Sequence, residues 1–179
     1  CPRCKPTVTF DLSQPQRVLE HIASHILHDI AIDRDLEACG LCLRPSPQCQ
    51  LQLQKPKGCN GNPAVNINAS SCPNLIKFQY KVAAHSSPSS PCSNVPISCP
   101  LCSAVIWRYN LCVHFRKQHQ SSLHLPQYTA IWTLSNIETY EMAKIWKERH
   151  KKVIKRGRKK VVAPRLRISE AHSSRLTLK

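Results

Sequence analysis

Aromatic mass, glycine and acidic charge are all scarce in this chain of 179 residues. Phe, Trp and Tyr make up 6% of it, and there are 4 Gly against 14 Pro. So little bulky apolar material builds only a thin core, and domains with thin cores rely on a metal or on disulfides. Asp and Glu total 10 against 26 Lys and Arg, a net charge of +16. That excess points to a polyanionic partner, most simply nucleic acid, with DNA favoured over RNA. Also missing is any apolar run near the roughly 18–20 residues needed to cross a bilayer, so no membrane role is expected. No His-x-Glu occurs in the chain, which excludes the zinc-deaminase pattern of His-x-Glu ahead of Pro-Cys-x2-Cys. The regular second half of a cross-braced ubiquitin-ligase module is absent as well.

Cysteine, by contrast, is plentiful. There are 11, with Cys-x2-Cys pairs at Cys1/Cys4, Cys39/Cys42 and Cys99/Cys102, two of them followed by paired histidines. The pairs and the odd count suit thiolate coordination in a reducing compartment better than a secreted disulfide framework. The chain begins at one of these cysteines rather than at Met, as a fragment or a processed product does, so an upstream targeting segment is left open.

The organising stretch is CPLCSAVIWRYNLCVHFRKQH, residues 99 to 119. Two cysteines two residues apart, then 11 residues, then two histidines four residues apart make the Cys2His2 zinc pattern. A Cys-x2-Cys knuckle turns two thiolates onto one ion, and histidines about a helical turn apart share a helix face. Cys99, Cys102, His114 and His119 are therefore assigned one zinc, with Ile106, Trp107 and Leu111 as the finger's small core. The loop is one residue shorter than the commonest finger spacing, and Cys112 is a rival ligand by position. A complete Cys2His2 set leaves no open coordination position, so neither enzymatic activity nor a small-molecule substrate is expected.

Residues 1 to 30 read as a divergent second finger with zinc at Cys1, Cys4, His21 and His25. The 16-residue loop between the pairs is long, and His28 rivals His25. Val8 and Phe10 suggest a short strand, and Ser13 with Gln16 a capping box around Pro15 in the helix's first turn. Val18, Ile22, Ile26 and Ile30 mark one face of that helix. Residues 39 to 98 form a Cys-rich section. A Cys4 zinc site on the Cys39/Cys42 knuckle takes Cys72 as third ligand and Cys92 or Cys49 as fourth, while free buried cysteines remain the alternative. LIKFQYKVA, Leu75 to Ala83, alternates like a half-buried strand, and residues 86 to 96 read as an extended Ser- and Pro-rich connection.

The succession CGLCLRPSPQC, SSCPNLIKFQY, SPCSNVPISCPLC and WRYN followed by two histidines resembles uncharacterised Cys2His2-type zinc-finger proteins of mushroom-forming fungi. These occur in large families reminiscent of mobile-element relatives. The resemblance covers roughly residues 1 to 150 and implies zinc at Cys99, Cys102, His114 and His119, with the middle cysteines part of a folded unit.

SSLHLPQY after His119 reads as a short connection, with His124 a surface residue. A helix is expected over residues 135 to 155, opened by a Ser135/Glu138 capping box, with Met142, Ile145 and Trp146 on one face and Glu141 spaced to pair with Lys144. Gly157 is its stop signal. KKVIKRGRKK, residues 151 to 160, opens a basic tail over residues 151 to 179 that is expected to be disordered. Lys151, Lys152, Lys155, Arg156, Arg158, Lys159 and Lys160 serve as a nuclear-import signal or as a phosphate-binding arm. Arg156-Gly157-Arg158 also resembles an AT-hook core, with Lys159 where that motif has Pro.

Finger positions −1, 3 and 6 fall on Trp107, Asn110 and Val113 before His114, and on Gln14, Arg17 and Glu20 before His21. Asn110 is the base reader of the first set. More than seventy residues separate the two fingers, so they do not form a contiguous reader. The expected whole is a small, metal-stabilised α+β fold: ββα-like Cys2His2 fingers around a Cys-rich middle section, then a helix and a basic tail. Its expected function is zinc-dependent nucleic-acid binding in the nucleus, mainly through charge. The alternative is a zinc-stabilised protein-interaction module whose basic tail serves nuclear import.

Overall fold

A computed structural model describes residues 1, 3–45, 48–54 and 63–150. The architecture is small α+β, with five short helices around two two-stranded sheets. Helix α1 spans Pro15–His28, β1 Leu53–Gln54, β2 Ala64–Val65 and α2 Tyr80–Ala83. There follow β3 at Pro96–Ser98, β4 at Val105–Trp107, α3 at Leu111–Gln118, α4 at Pro126–Trp132 and α5 at Asn136–Glu148. β1 pairs antiparallel with β2, and β3 with β4 in the register Pro96–Trp107, Ile97–Ile106 and Ser98–Val105.

Helix α1 starts with proline in its first turn, where a missing N–H costs no intrahelical bond. The expected Ser13/Gln16 box does not form: the Ser13 hydroxyl donates to Asp11, and Gln14 at the N-cap makes no side-chain cap. Asp11 draws both the amide and the hydroxyl of Ser13, so the cap is spent on a turn ahead of the helix. Val18, Ile22 and Ile26 are buried as the spacing predicts, but the helix ends at His28 and Ile30 is 95% exposed. Val8 and Phe10 lie on irregular chain, not on a strand.

The principal core joins Leu19 and Ala23 of α1, Leu41, Leu51, Ala83, Val95, Trp107 and Met142 of α5 with Cys39, Cys72 and Cys92. Leu75 to Ala83 is not a strand. Ile76, Phe78 and Tyr80 do face this core, with Lys77 and Gln79 exposed between them. Among the described residues no neighbouring strand pairs with this segment, and at Tyr80 it winds into α2, which turns Val82 outward. The Tyr80 hydroxyl instead donates to the Pro96 carbonyl at 2.7 Å. SSLHLPQY is likewise no simple connection, because Pro126 opens α4. Tyr128, Ile131 and Trp132 of that helix pack on a second core of Ile106, Leu111 and Phe115.

α5 begins as its sequence predicts: the Ser135 hydroxyl accepts from the Glu138 amide. The Glu138 side chain, however, turns inward and is 1% exposed. Its Oε1 accepts from the Ser93 amide at 2.8 Å, from the Ser93 hydroxyl and from the Tyr109 hydroxyl at 2.6 Å. Burial, with the charge of Glu138 beside it, pushes the Tyr109 phenol well above its usual value. Arg108 reaches the same Ser93 hydroxyl and also donates to the carbonyls of Ile131 and Thr133, tying the α4–α5 junction to β4. Met142, Ile145 and Trp146 share the inward face, and Lys144 pairs with Glu141 at 3.5 Å. The helix ends at Glu148, with Arg149 as its C-cap. The basic run from Lys151 and the stop signal at Gly157 lie outside the described residues.

Trp107 is the bolt between the β3–β4 hairpin and the Cys39 knuckle. Its indole lies flat on Gly40, where a Cβ would meet ring carbons at 2.4 Å. Gly40→Ala is expected to cost about 1–3 kcal/mol by overpacking, read as a lowered midpoint for denaturant unfolding of the metal-loaded protein. An unchanged midpoint would show that the hairpin is not seated on the knuckle.

Candidate metal centres

Three groups of four Cys and His side chains converge so that their ligand atoms lie within 4.8 Å of one another. The first is Cys1, Cys4, His21 and His25; the second Cys39, Cys42, Cys49 and Cys72; the third Cys99, Cys102, His114 and His119. Each is able to hold a metal ion. The second group resolves the open fourth ligand. Cys49 joins it, while Cys92 stands apart at 1% exposure, its Sγ accepting from the Asn94 amide, with the Tyr109 hydroxyl oxygen 3.8 Å away. Burial pushes the Cys92 thiol up to about 12. Neither His28 nor Cys112 belongs to a group, and Cys59 lies outside the described residues.

Local backbone explains two of the three. Around Cys39 the amide of Cys39 donates to the Arg44 carbonyl at 2.8 Å and that of Leu43 to the Cys39 carbonyl at 2.9 Å. Around Cys99 the same bonds run from Cys99 to Ala104 at 2.7 Å and from Ser103 to Cys99 at 3.0 Å. In both, the residue after the second cysteine is left-handed, Leu43 at φ 61° and Ser103 at φ 59°. In both, too, the residue before the first cysteine bridges the chain beyond, Ala38 with Pro45 and Ser98 with Val105. The sequence thus folds one knuckle twice. A left-handed non-glycine costs on the order of 1–2 kcal/mol, and the turn it closes brings two sulfurs to one point.

The histidines come from helices. His21 and His25 sit one turn apart on α1; His114 lies within α3, and His119 caps it. Cys4 Sγ lies 3.4 Å from His21 Nε2 and 3.3 Å from His25 Nε2, and Cys102 Sγ lies 3.3 Å from His114 Nε2. With the Nε2 atoms facing sulfur, the Nδ1 atoms face carboxylates. His25 Nδ1 meets Asp29 Oδ2 at 2.9 Å, and His114 Nδ1 meets Glu37 Oε1 at 3.0 Å. Carboxylates behind ligating imidazoles fix ring orientation and raise ligand basicity. Asp29 is fixed in turn by the Ala31 amide and by Arg3. Burial opposes ionisation of Asp29, but these bonds and the one to His25 outweigh it and hold the carboxyl below its usual range. Buried His119 Nε2 has no hydrogen-bond partner, an orphan that an ion would satisfy.

In the all-cysteine group, Cys39 and Cys72 sulfurs are 3.7 Å apart and Cys42 and Cys49 sulfurs 3.1 Å, well beyond a disulfide bond. All ten described cysteines are free. The Cys72 thiol, aided by the backbone amides of Leu41 and Cys42, pulls Cys39 down to about 6; the same contact with Cys39 pushes Cys72 up, and burial pushes Cys42 up to about 12. Four thiols held this close, two of them buried, are an arrangement in which a cation replaces protons.

Three of the six finger reading positions are buried, while Gln14 and Arg17 are exposed and Val113 is half-buried. Trp107 is 5% and Asn110 4% exposed, and the Asn110 amide donates to the Ala38 carbonyl at 2.6 Å. Glu20 is 2% exposed and ion-paired with Arg17, and Gln14 is engaged with Asp11. The expectation that Asn110 reads adenine is therefore overturned: α3 presents that edge to the Cys39 knuckle. No family model matches the chain, and neither does any curated protein or solved structure.

Glu37 lies 77 residues from His114 in sequence. Glu37→Gln is expected to weaken metal at the third group about 10–100-fold while leaving the other two unchanged, measured by chelator competition. Acid should act first through the histidines. Burial lowers His21 to about 4, helped by the positive charges of His25, the N-terminus and Arg149, and burial lowers His25 as well. Since an unfolded histidine protonates near 6.5, the unfolded chain binds more protons between about pH 6.5 and 4. Stability should fall as pH falls through that window, and proton competition for metal ligands adds in the same direction. Thermal melts at stepped pH check this; a flat midpoint over the window would contradict it.

Proposed function

We propose that the protein is a Cys2His2-type zinc protein of the nucleus that binds nucleic acid mainly through charge. The observation that carries the zinc reading is the closure of three complete four-ligand sets. Tetrahedral zinc, with Zn–S of roughly 2.3 Å and Zn–N of roughly 2.0 Å, separates two sulfurs by about 3.8 Å and a sulfur from a nitrogen by about 3.5 Å. The Cys39–Cys72 separation of 3.7 Å and the sulfur–Nε2 separations of 3.3–3.5 Å in the two mixed groups lie at or near those values. Four-ligand thiolate and imidazole sets suit zinc in a structural role, because nothing in a filled set is free for substrate. The order β3, β4 and α3 around the third group supports a finger-like reading there, whereas around the first group a helix stands without a described hairpin. The resemblance to fungal Cys2His2-type proteins implies the same metal.

Charge supports the nucleic-acid half of the reading. Residues 151–179 hold eleven Lys and Arg against one Glu, so ten of the sixteen net charges are concentrated in the last 29 residues. With Trp107, Asn110 and Glu20 buried, affinity rests on phosphates, which carry no sequence information. That favours binding without base specificity. The same burial favours a second reading, in which the zinc-organised body binds a protein and the basic segment serves nuclear import.

Native mass spectrometry under reducing conditions should count three zinc ions per chain; two or fewer would remove at least one group from the reading. Binding to duplex DNA and to RNA at graded salt should show a log–log slope near −6 on the duplex if about seven phosphates are neutralised. Deleting residues 151–179 should abolish it. Binding that survives the deletion, or a shallow slope, would overturn the charge reading, and a body that captures a protein but ignores nucleic acid would favour the second.

A further inference from the structure

Two residues that cannot ligate a metal stand over the first group. The Trp146 ring meets the His25 ring edge to face, with centroids 5.0 Å apart and planes at 80°. Arg149 lies on the Trp146 ring, its guanidinium carbon 3.6 Å from the centroid, and donates to the Trp146 carbonyl at 2.6 Å. Both belong to the end of α5, more than a hundred residues from Cys4. His25 is thereby held on two sides, by Asp29 at Nδ1 and by Trp146 on its ring.

α5 has two anchorages of different kinds. Its first half is fixed by the Glu138 bonds to Ser93 and Tyr109 and by Met142, fully buried in the principal core. Ile145 still reaches that core. Beyond it Trp146 meets the rings of His25 and His28, and Arg149 lies on Trp146. These two residues bring the last turn of α5 onto the first group.

We propose that Trp146, stacked under Arg149, is the lid of the first metal site, and that metal in this site and docking of the last turn of α5 form one coupled equilibrium. The proposal rests on the reading that the first group holds zinc. A bound ion fixes the His25 imidazole, and the fixed imidazole gives Trp146 its seat; the seated indole excludes water and competing ligands from one side of the site. Linkage makes the coupling reciprocal: whatever the lid adds to metal affinity, the metal adds to lid docking.

The test uses the full chain loaded with zinc and challenged with excess chelator. Trp146→Ala is expected to speed release of one zinc of three about tenfold or more, while the other two leave at wild-type rates. Trp146→Phe, which keeps an aromatic edge on His25, should stay within about threefold of wild type. In Trp146→Ala combined with Cys1→Ser the fast phase should vanish, which assigns it to the first group. The reciprocal arm is hydrogen exchange on Cys1→Ser alone: amides of residues 146–149 should lose protection while those of residues 138–142 keep it. Wild-type release in Trp146→Ala, equal acceleration of all three ions, or exchange unchanged along α5 would each overturn the lid. A wild-type chain that binds no zinc at the first group would instead overturn the underlying reading of that group.

Discussion

Convergence of four side chains on one point, repeated three times, is the constraint on which this structure depends. Two helices, two knuckles and several irregular segments are positioned by it, and the apolar core alone could not do the same. That core holds Trp107 and Met142 as its largest fully inward members, and three of its eleven buried residues are cysteines. A structural zinc supplies on the order of 10 kcal/mol or more at neutral pH, comparable to the whole net stability of an ordinary domain. The groups also interlock. Glu37, beside the second knuckle, orients His114 of the third, and Trp107 of the third group's hairpin lies on Gly40 of the second knuckle. The chain is built as one body around fused centres, not as separate beads on a linker.

That fusion explains why a finger-like order of elements does not yield a finger-like reading surface. An isolated finger keeps one side of its helix free because its own small core lies on the other side. Here the edge with Trp107 and Asn110 is used to join the third group to the second, and Asn110 completes the Ala38 carbonyl. A buried amide whose bond satisfies a buried carbonyl cannot also be offered to a base without leaving both unpaired. Stability and readout compete for the same residues, and in this chain stability takes them.

The parts of the site that were legible in the sequence are those whose geometry is local. A Cys-x2-Cys pair and two histidines a turn apart each specify their own conformation, so the first and third sets could be written down from spacing. The second set could not be completed, because Cys49 and Cys92 both lie at open-ended distances from Cys39 and only the path of the chain between them chooses Cys49. Asp29 was within reach of inspection: it lies four residues from His25, on the same side of the helix end. Glu37 was not, since its partner lies 77 residues away. The alternation of Leu75 to Ala83 reported burial correctly as far as Tyr80, failed at Val82, which is exposed, and reported partnership wrongly. Period-two exposure tells which residues face a core, but a strand also needs a neighbour for its backbone, and that neighbour is not encoded in the segment.

The three centres also divide the work chemically. A zinc held by four thiolates carries two net negative charges, whereas one held by two thiolates and two neutral imidazoles carries none. The second group, where that charge would reside, has thiols met by backbone amides, those of Leu41 and Cys42 at Cys39, Arg44 at Cys42 and Asn74 at Cys72, as Cys102 of the third group is met by Ala104. The mixed groups add outer support on imidazole, through Asp29 and Glu37. They also lie where other elements close over them, α5 on the first and α4 on the core of the third. The mixed sets thus gain carboxylate support at their imidazoles, and the two aromatic helices that follow in the chain close over them, α5 being anchored as well by Glu138 and Met142. The order of the sequence, knuckles and histidines first and covering helices afterwards, lets each helix pack on a centre whose ligands precede it.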